Sequence, residues 1–445
     1  MKKVAVIGAG ITGIQAALDL VQHGISVYLI EKSPFIGGHV AQLGRIFPTD
    51  DSSMCVISSK MHEVLRSPGV ELYTMTEVTG IAGEPGNYTL TLRKSPRYVD
   101  AEKCDGCGRC TEICPVEVYN EFDAGLGVRK AIYKPYRDAV PDVVVRDSRH
   151  CIGCGLCYDV CPTEAVLTDS EDSQQEFDLG EITSVIVATG YSMYDPRNEP
   201  RYRYLTIPDV ITSLEFERML SADGPTGGEI RRLSDGKIPR SIVLVQCVGS
   251  RNPSIGRNFC STVCCMYTIK CANVIKEKYG DNIDVTILKS ETRAYGKGYQ
   301  EYNHRIKQAH KIQVLRCMPG SIECGKGNRM RIVVEKIKRD LPDTPIVVLE
   351  PELVVLAAGL SPSAGAERLA EMIGIEVSKN EGFLCPGDPA LNPSGSRTPG
   401  IYIAGAAVAP KDINDCINQA KAAAMKAFLD TVIQSKDDGE ESGSD

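Results

Sequence analysis

Apolar and polar positions along this chain follow the order expected of a protein with parallel sheets. Short apolar runs recur, and many are followed by a glycine-rich turn or by an amphipathic stretch of helical period. Short apolar runs are typical of strands buried on both faces. Amphipathic stretches are typical of helices that cover a sheet. The pattern predicts strands at 4–7, 26–30, 71–75, 88–94, 182–187, 241–247, 282–288, 353–356 and 401–404. It predicts helices from the first glycine turn to about 22 and at 214–220, 266–276, 299–309 and 414–429, and a hairpin from 331–338 with 346–349.

The first strand leads into a glycine-rich turn. Gly8, Gly10 and Gly13 separate it from the helix, and Glu31 ends the second strand, 18 residues after Gly13. Gly8 permits the tight turn, Gly10 lets backbone N–H groups approach a pyrophosphate, and Gly13 lets helix and strand pack closely. An acidic residue at this spacing is typical of a ribose ligand. The turn predicts a dinucleotide site that also includes Ile11, Thr12 and Lys32; the alternative is a turn that is merely rich in glycine.

A different pattern begins after Pro96, where two cysteine runs share one spacing. In each run four cysteines are separated by two, two and three residues and followed by proline, and the second run begins 47 residues after the first. This is the bacterial ferredoxin repeat, in which the fourth cysteine of each run binds the cluster of the other. The spacing predicts two 4Fe-4S clusters, one held by Cys104, Cys107, Cys110 and Cys161, the other by Cys114, Cys151, Cys154 and Cys157. A zinc ribbon, the alternative, has four ligands in another arrangement.

Four further cysteines lie where a second dinucleotide turn would be expected. The strand at 241–247 is not followed by GxGxxG, so a pyridine nucleotide would lack its usual phosphate loop there. We infer that a third 4Fe-4S cluster replaces the nucleotide, held by Cys247, Cys260, Cys264 and Cys265; buried structural thiols are the alternative. Four other cysteines have no such spacing. We predict that Cys55 is a reduced, half-buried thiol, that Cys271 is a core residue, and that Cys317 and Cys324 are structural.

Composition narrows the class of protein. The 445 residues suffice for two or three domains, and a hydrophobic content of 42% is ordinary for a globular protein. The net charge of −8 argues against nucleic acid as a partner. The 18 cysteines favour metal binding over disulfides, because no leader sequence is found. With no apolar run of membrane-spanning length, we expect a cytoplasmic protein that reaches a membrane only through a partner, without direct membrane insertion.

Three further turns resemble those of two-dinucleotide-domain flavoproteins. Phe35-Ile36-Gly37-Gly38-His39 is similar to their second glycine turn and favours FAD over NAD. Ala188-Thr189-Gly190 resembles the turn at the end of the first FAD segment. The turn at Gly405 departs from the pattern, because Ala406 stands where most relatives have an aspartate for the ribityl chain. We therefore expect Gly405 and the following helix N-terminus to contribute more to FAD binding.

The whole chain resembles the heterodisulfide reductase A-subunit (HdrA) family. The segments that carry the resemblance are the first glycine turn, Gly37-Gly38-His39-Val40-Ala41-Gln42-Leu43, Phe47-Pro48-Thr49, both ferredoxin-type runs, residues 247–251, residues 260–270 and Pro410-Lys411-Asp412-Ile413. The resemblance implies an α/β fold like that of thioredoxin reductase and glutathione reductase, with an inserted two-cluster ferredoxin domain. It implies FAD and three 4Fe-4S clusters, with Lys411, Asp412 and Ile413 at the flavin and Lys270 close to its ring. A solvated lysine on an exposed helix face is the alternative for Lys270.

The resemblance also implies partners and domain limits. We expect other subunits of a heterodisulfide-reductase-like complex, HdrB/HdrC-like, MvhD-like or hydrogenase and dehydrogenase modules, together with ferredoxin and a homodimer within the complex. The expected organisation is an FAD domain in three segments, 1–96, 173–236 and 351–435, an inserted ferredoxin domain at 97–172, a second Rossmann-like domain with the third cluster at 237–350, and a disordered acidic tail at 436–445.

The chain departs from the longest members of that family. The N-terminal and C-terminal cluster domains of the methanogen type are not found, so we expect a short form, and Ser52 replaces a cysteine although Cys55 matches. Three functions remain open: an electron-bifurcating or confurcating hub, a non-bifurcating conduit in a quinone-interacting or benzoyl-CoA-reducing complex, and a stand-alone pyridine-nucleotide oxidoreductase.

Overall fold

The structure is a computed structural model that describes residues 3–325, 329–335 and 346–441. Its strands are β1 (Lys3–Ile7), β2 (Ser26–Ile30), β3 (Val70–Tyr73), β4 (Thr76–Glu84), β5 (Asn87–Lys94), β6 (Glu117–Tyr119), β7 (Val128–Lys130), β8 (Ile132–Tyr133), β9 (Val145–Arg146), β10 (Gln175–Val187), β11 (Tyr191–Met193), β12 (Val210–Thr212), β13 (Ser241–Val248), β14 (Asp284–Lys289), β15 (Ile312–Arg316), β16 (Pro319–Cys324), β17 (Met330–Glu335), β18 (Ile346–Leu349), β19 (Leu353–Ala358), β20 (Leu360–Pro362) and β21 (Ile401–Ile403). Its helices are α1 (Ile11–Gln22), α2 (Ser53–Arg66), α3 (Arg109–Ile113), α4 (Leu156–Val160), α5 (Ser213–Leu220), α6 (Cys264–Tyr279), α7 (Tyr299–Ala309), α8 (Ala366–Ile373) and α9 (Ile413–Glu441).

The chain forms two compact units, and the first consists of Met1–Ala41, Met54–Tyr191 and Pro362–Asp445. Its main sheet has the order β3-β2-β1-β10-β5-β4, with β21 paired to the end of β10. The strands β1, β2, β3, β21 and the end of β10 run parallel, whereas β5 and β4 form an antiparallel extension. Helices α1 and α9 pack together beside this sheet. Strands β1 and β2 are buried beyond their first residue, as expected of strands whose two faces are both apolar.

The ferredoxin-type insert belongs to this first unit. Two short helices, α3 and α4, pack against each other, and the hairpins β6–β7 and β8–β9 complete the insert. Each short helix begins after a left-handed glycine, Gly108 or Gly155, within a cysteine run. Glycine suits both positions, because a side chain would strain the backbone there. A small core of buried apolar residues lies between the two halves of the repeat.

The second unit consists of Gln42–Ser53 and Ser192–Ser361. Its parallel sheet has the order β12-β19-β13-β14-β15, and β16, β17 and β18 form a separate antiparallel sheet. Helix α5 begins with a capping box, in which Thr212 and Glu215 satisfy each other's backbone N–H groups. Helix α6 packs against β13 and carries two of the predicted cluster cysteines at its first turn.

The segment Gln42–Ser53 is attached to the second unit by polar contacts. The backbone N–H of Gly44 donates to the Glu217 carboxylate at 2.9 Å, and Arg45 pairs with Glu277. The hydroxyl of Tyr302 donates to Asp50 at 2.5 Å. These partners are far along the chain from 42–53, which explains why the sequence pattern alone put this segment in the first FAD segment.

Several elements differ from their predicted limits. Strands β4, β15 and β16 were not predicted, because their polar and glycine positions obscure the alternation. Helix α9 runs to Glu441, past Asp438-Gly439 and into the predicted acidic tail; residues 442–445 lie outside the described residues. The hairpin of β17 with β18 has the predicted pairing, but residues 336–338 also lie outside them. Among the helices that are described, none combines the length and apolar character needed to cross a membrane.

Candidate flavin and cluster sites

The turn between β1 and α1 is built as the glycine pattern predicts. Gly8 has a φ of 100°, and an added Cβ would lie 2.5 Å from the carbonyl oxygen of Ala188. A Cβ on Gly13 would lie 1.8 Å from the carbonyl oxygen of Gly8, so only glycine allows this approach of helix and strand. The N-cap residue is Gly10, which has no side chain to cap the helix, and the first turn of α1 carries no acidic residue. The helix N-terminus therefore suits a phosphate group.

Glu31 holds the loop beside this turn. One carboxylate oxygen accepts from the backbone N–H of Ala9 at 2.8 Å, and the other accepts from that of Ser33 at 2.8 Å. Both bonds stabilise the ionised carboxylate at the end of β2, where an acidic ribose ligand is expected. Lys32 is exposed to solvent.

The second glycine turn lies against the first. Gly37 forms a parallel bridge with Gly10, and a Cβ on Gly38 would lie 3.1 Å from the Cα of Gly10. The ring of His39 stacks on Tyr191 with 4.5 Å between centroids, and its Nε2 lies 3.1 Å from the carbonyl oxygen of Tyr191. The structure thus brings together two turns that are about 25 residues apart in the chain.

The C-terminal turn joins the same region. Gly405 has a φ of 73°, and a Cβ there would lie 2.3 Å from Oγ1 of Thr12. Asp412 caps α9, because its carboxylate accepts from the backbone N–H of Asp415 at 2.9 Å. Burial lowers the pKa of Lys411, which lies next to this cap. The other predicted residues of this region are on the same unit, at the start of α1 (Ile11), at the end of β10 (Ala188, Thr189 and Gly190) and at the start of α9 (Ile413). These close backbone approaches fit a dinucleotide.

A cavity in the insert is lined by cysteines of both runs. It has about 300 Å³ of empty space, part of it open to solvent, and its lining includes Cys104, Cys107, Cys110 and Cys161. Burial and the neighbouring Cys104 raise the pKa of Cys110 to about 11. The backbone N–H of Ala165 donates to the sulfur of Cys161 at 3.3 Å. Three ligands from the first run and one from the second meet here, as the ferredoxin spacing predicts.

A second cavity of the insert has the reciprocal lining. Its empty space is about 390 Å³, again partly open, and its lining includes Cys114, Cys151, Cys154 and Cys157. Arg146 also lines it, with a guanidinium nitrogen 3.9 Å from the sulfur of Cys151. Each cavity is thus lined by four thiols, the number and kind of donors that a 4Fe-4S cluster requires. Sequence reasoning missed Arg146, which is marked only by its place five residues before Cys151.

The third cysteine group lies in the second unit. Cys247 is in β13 with a φ of 60°, and Cys264 and Cys265 open α6. Burial raises the pKa of Cys247 to about 11, and the nearby Cys265 and Cys260 thiols act in the same direction. Burial also raises the pKa of Cys264, with contributions from the other three. The four thiols are therefore close neighbours, as the sequence predicts for a shared site.

Backbone donors point at two of these sulfurs. The N–H of Thr262 donates to Cys260 at 3.4 Å, and the N–H of Arg293 donates to Cys265 at 3.3 Å. Within the described ranges, no set of three or more His, Cys, Asp and Glu side chains converges as the ligands of a single metal ion do, and this includes the ferredoxin-type cysteines. Ligands of a multi-iron cluster bind separate irons and are spaced more widely.

Lys270 is buried in the second unit. Lys270 is 2% exposed, and its ammonium group pairs with the Glu217 carboxylate. Burial lowers the pKa of Lys270, but the neighbouring charges of Cys271 and Glu217 outweigh that effect, so the pKa is raised. The alternative of a solvated lysine on an exposed helix face is therefore wrong. Glu217 was missed, since nothing in its helix distinguishes it from a surface acid.

The other cysteines differ in exposure. Cys271 and Cys317 are fully buried, whereas Cys324 and Cys55 are exposed. The exposure of Cys55 corrects the prediction of a half-buried thiol, because it faces solvent from α2.

Two family models match the chain. Residues 103–166 match a 4Fe-4S dicluster domain, and residues 3–42 match an FAD dependent oxidoreductase. These matches lie on the insert and on the first two glycine turns. They support FAD and 4Fe-4S iron–sulfur clusters as the cofactors of these regions.

Solved structures have the predicted fold. The thioredoxin reductase of Lactococcus lactis superposes with a TM-score of 0.52 at 14% identity, over 97% of this chain and 99% of that chain. The thioredoxin reductase of T. acidophilum has a TM-score of 0.50 at 12% identity, over 97% and 99% of the two chains. At this identity the likeness concerns the fold alone, and it confirms the thioredoxin-reductase-like α/β architecture.

Curated relatives are similar over nearly the whole chain. The second iron-sulfur A-subunit of the CoB–CoM heterodisulfide reductase of Methanopyrus kandleri is 44% identical over 96% of this chain and 64% of its own length. The A-subunit of the H(2):CoB-CoM heterodisulfide,ferredoxin reductase of Methanothermobacter marburgensis is 42% identical over 97% of this chain and 64% of its own. The chain thus spans somewhat less than two thirds of these relatives. Across the length that it shares with them, the chain is similar to the A-subunits of heterodisulfide reductases.

Proposed function

We propose that this chain is the FAD and iron–sulfur electron-transfer subunit of a heterodisulfide-reductase-like complex. The observation that carries the proposal is the pair of cavities in the insert, each lined by four cysteines drawn from both runs. They belong to the same compact unit as the glycine turns. This arrangement combines a two-electron carrier with one-electron carriers.

The chain's own residues would hold and orient these groups. FAD, when bound, takes up electrons in pairs and releases them singly. The N-terminus of α1 would bind its pyrophosphate, and Glu31 its ribose. Gly37, Gly38 and the turn at Gly405 would leave room for the rest of the cofactor, since side chains there would collide with neighbouring atoms.

We assign a third 4Fe-4S cluster to Cys247, Cys260, Cys264 and Cys265. The support is their proximity, the two backbone donors to sulfur and the position of Cys264 and Cys265 at a helix N-terminus. A helix N-terminus favours thiolate over thiol. The turn after β13 does not have the GxGxxG motif, which argues against a pyridine nucleotide at this position.

Lys270 is proposed to act on the flavin through its positive charge. The support is its raised pKa and its position on the helix that begins with Cys264. Lys270→Ala is expected to keep FAD and iron but to lower the flavin potentials and the rate of electron transfer, because a nearby cation favours the reduced, more negative flavin. Potentiometric titration of the flavin checks this, with Lys276→Ala, another buried lysine of α6, as the control. Unchanged potentials and turnover would remove Lys270 from the mechanism.

The finer proposal is flavin-based electron bifurcation or confurcation. Its support is the name of the Methanothermobacter marburgensis relative, which joins heterodisulfide and ferredoxin in one reductase. The partners would be the remaining subunits of such a complex and ferredoxin. A conduit without bifurcation would use the same cofactors and differ only in how the electrons divide.

The test uses the native complex, purified under anaerobic conditions. With a two-electron donor, we expect ferredoxin reduction only when the higher-potential acceptor of the complex is also present. Reduction of one acceptor in the absence of the other would identify a simple conduit. Rapid NADH oxidation by the isolated chain with an artificial acceptor would instead favour the stand-alone pyridine-nucleotide oxidoreductase.

A further inference from the structure

Arg146 is a buried cation at the second cavity of the insert. The residue is 6% exposed and belongs to β9, where it pairs with Ile132 of β8. Its Nη1 lies 3.9 Å from the sulfur of Cys151, and the ring of Tyr98 lies 4.3 Å from its Cζ. The backbone and the tyrosine thus hold the guanidinium in one orientation beside the predicted ligands.

One N–H of this guanidinium has no acceptor among the residues that the structure describes. The Nη2 group donates to the carbonyl oxygen of Leu167 at 3.3 Å and pairs with Asp169. The Nε atom is buried and finds no hydrogen-bond partner in the described part of the chain. An unpaired buried donor is costly, so it indicates an acceptor that the protein atoms do not supply. Asp169 does not cancel the charge, because its side chain is 74% exposed and is screened by water.

The first cavity has no such group among its described lining residues. The repeat spacing of 47 residues places Val99 at the position equivalent to Arg146, and Val99 also lines its own cavity. The cation that lines the first cavity, Arg109, is exposed and lies near the exposed Asp105. The first half also contains a buried arginine, Arg97, whose charge interacts with that of Cys104. Its guanidinium, however, donates to the carbonyl oxygens of Pro34, Val143 and Val144 and to the hydroxyl of Thr74. Among the described residues, the two halves therefore differ in that a buried guanidinium reaches a ligand sulfur at the second cavity and not at the first.

We propose that Arg146 is a positioning residue that donates to the cluster held in the second cavity and raises its reduction potential above that of the cluster in the first. A nearby positive charge favours the reduced, more negative state of a cluster, and hydrogen bonds to its sulfurs act in the same direction. Electron transfer within the insert would then be favoured from the first cluster to the second.

This inference rests on the proposed function only in requiring a cluster at each cavity. The iron content of the wild-type protein tests that requirement separately. Too little iron would refute the cluster assignment, whereas full iron without an effect of Arg146 would refute only this inference.

The experiment is a redox titration of the anaerobically purified full chain, followed by electron paramagnetic resonance. Cys154→Ser, which changes one ligand of the second cavity, assigns its signal. Arg146→Gln removes the charge, Arg146→Lys keeps the charge but removes the guanidinium, and Arg109→Gln is the matched control at the other cavity.

For Arg146→Gln we expect the reduced-to-oxidised ratio of the second cluster to fall about tenfold at a fixed potential, equivalent to about 59 mV for a one-electron couple. The first cluster keeps its potential, Arg146→Lys has a smaller effect of the same sign, and Arg109→Gln changes neither. Unchanged potentials in Arg146→Gln at full iron content, or equal shifts of both clusters, would overturn the proposal. If Arg146→Gln fails to load iron, Arg146→Lys decides: a downward shift of the second cluster alone supports the proposal, and no shift overturns it.

Discussion

The Glu31 carboxylate accepts hydrogen bonds from two backbone N–H groups beside the first glycine turn, so it has a structural role in addition to the proposed contact with the ribose. Replacing it removes the acceptor of the N–H of the buried Ala9, and a buried unpaired N–H costs about 1–3 kcal/mol, whereas the exposed N–H of Ser33 can bond to water. The loop between β2 and the second glycine turn therefore depends on this side chain before any cofactor binds. This double role was not evident from the spacing alone, which predicted only a ribose ligand.

Glu31→Leu is expected to weaken FAD retention at least about tenfold, the equivalent of 1.4 kcal/mol, while the iron of the insert remains. Flavin absorbance and iron content after gel filtration measure both. Glu31→Gln, which keeps one acceptor oxygen, should retain more FAD. Iron lost in proportion to flavin would mean that the two sites do not fold independently.

The buried pair of Lys270 and Glu217 has a second consequence. Lys270→Ala leaves the Glu217 carboxylate buried without its counter-ion, and breaking such a pair costs about 3–5 kcal/mol. Chemical denaturation followed by far-ultraviolet circular dichroism should detect the loss, and adding Glu217→Gln should recover most of it. Equal stability of Lys270→Ala and the wild-type protein would show that the pair is not a stabilising contact.

Motif residues were the predictable part of the site. Glycines and cysteines are recognisable because their spacing reflects local geometry, so the glycine turns and the four cysteines of each run were located from sequence. Arg146 and Glu217 were not, because a buried charge is identified by its surroundings in space. Nothing in the chain near Glu217 marks it as the partner of Lys270.

At the scale of elements, the loops after β13 and β19 meet at one glycine. A Cβ on Gly359 would lie 2.3 Å from Oγ of Ser250 and 2.6 Å from Oγ of Ser261. These two hydroxyls lie 2.5 Å apart, and Ser261 also accepts from the N–H of Leu360 at 2.9 Å. The segments that carry Cys247 and Cys260 are thus positioned by this contact.

Gly359→Ala is expected to displace both loops and to remove about 4 irons per chain, the content of one 4Fe-4S cluster. The control is Gly320→Ala in β16, where the added Cβ would make an ordinary contact 3.7 Å from the Val333 carbonyl oxygen. Iron analysis with protein quantification distinguishes the two. An unchanged iron content in Gly359→Ala would separate these loops from cluster binding.

Elements with a regular apolar pattern were predicted well. Strand β2 and helix α7 have their predicted limits, and β1, β13 and β21 differ only at their ends. Strand β4 was missed because it is only partly buried, with Thr, Glu and Gly breaking the alternation. Such an edge strand is defined by its pairing with β5 and not by its own composition.

At the scale of the whole molecule, the fold and the insert were predictable because each motif is local. It was not predictable that Gln42–Ser53 belongs to the second unit, because this segment contacts residues more than 150 positions away in the chain. The chain comprises two parallel-sheet units of which the first carries the insert. Three cysteine groups and one dinucleotide turn are distributed over them.

The central claim is that these sites together hold one FAD and three 4Fe-4S clusters. The most direct measurement is the cofactor content of the anaerobically purified chain, with FAD released by denaturation and iron and sulfide determined chemically. We predict one FAD and about 12 irons per chain, from four irons in each of three clusters. About 8 irons with the insert intact would contradict the claim, because the cysteine group at Cys247 would then not hold a cluster.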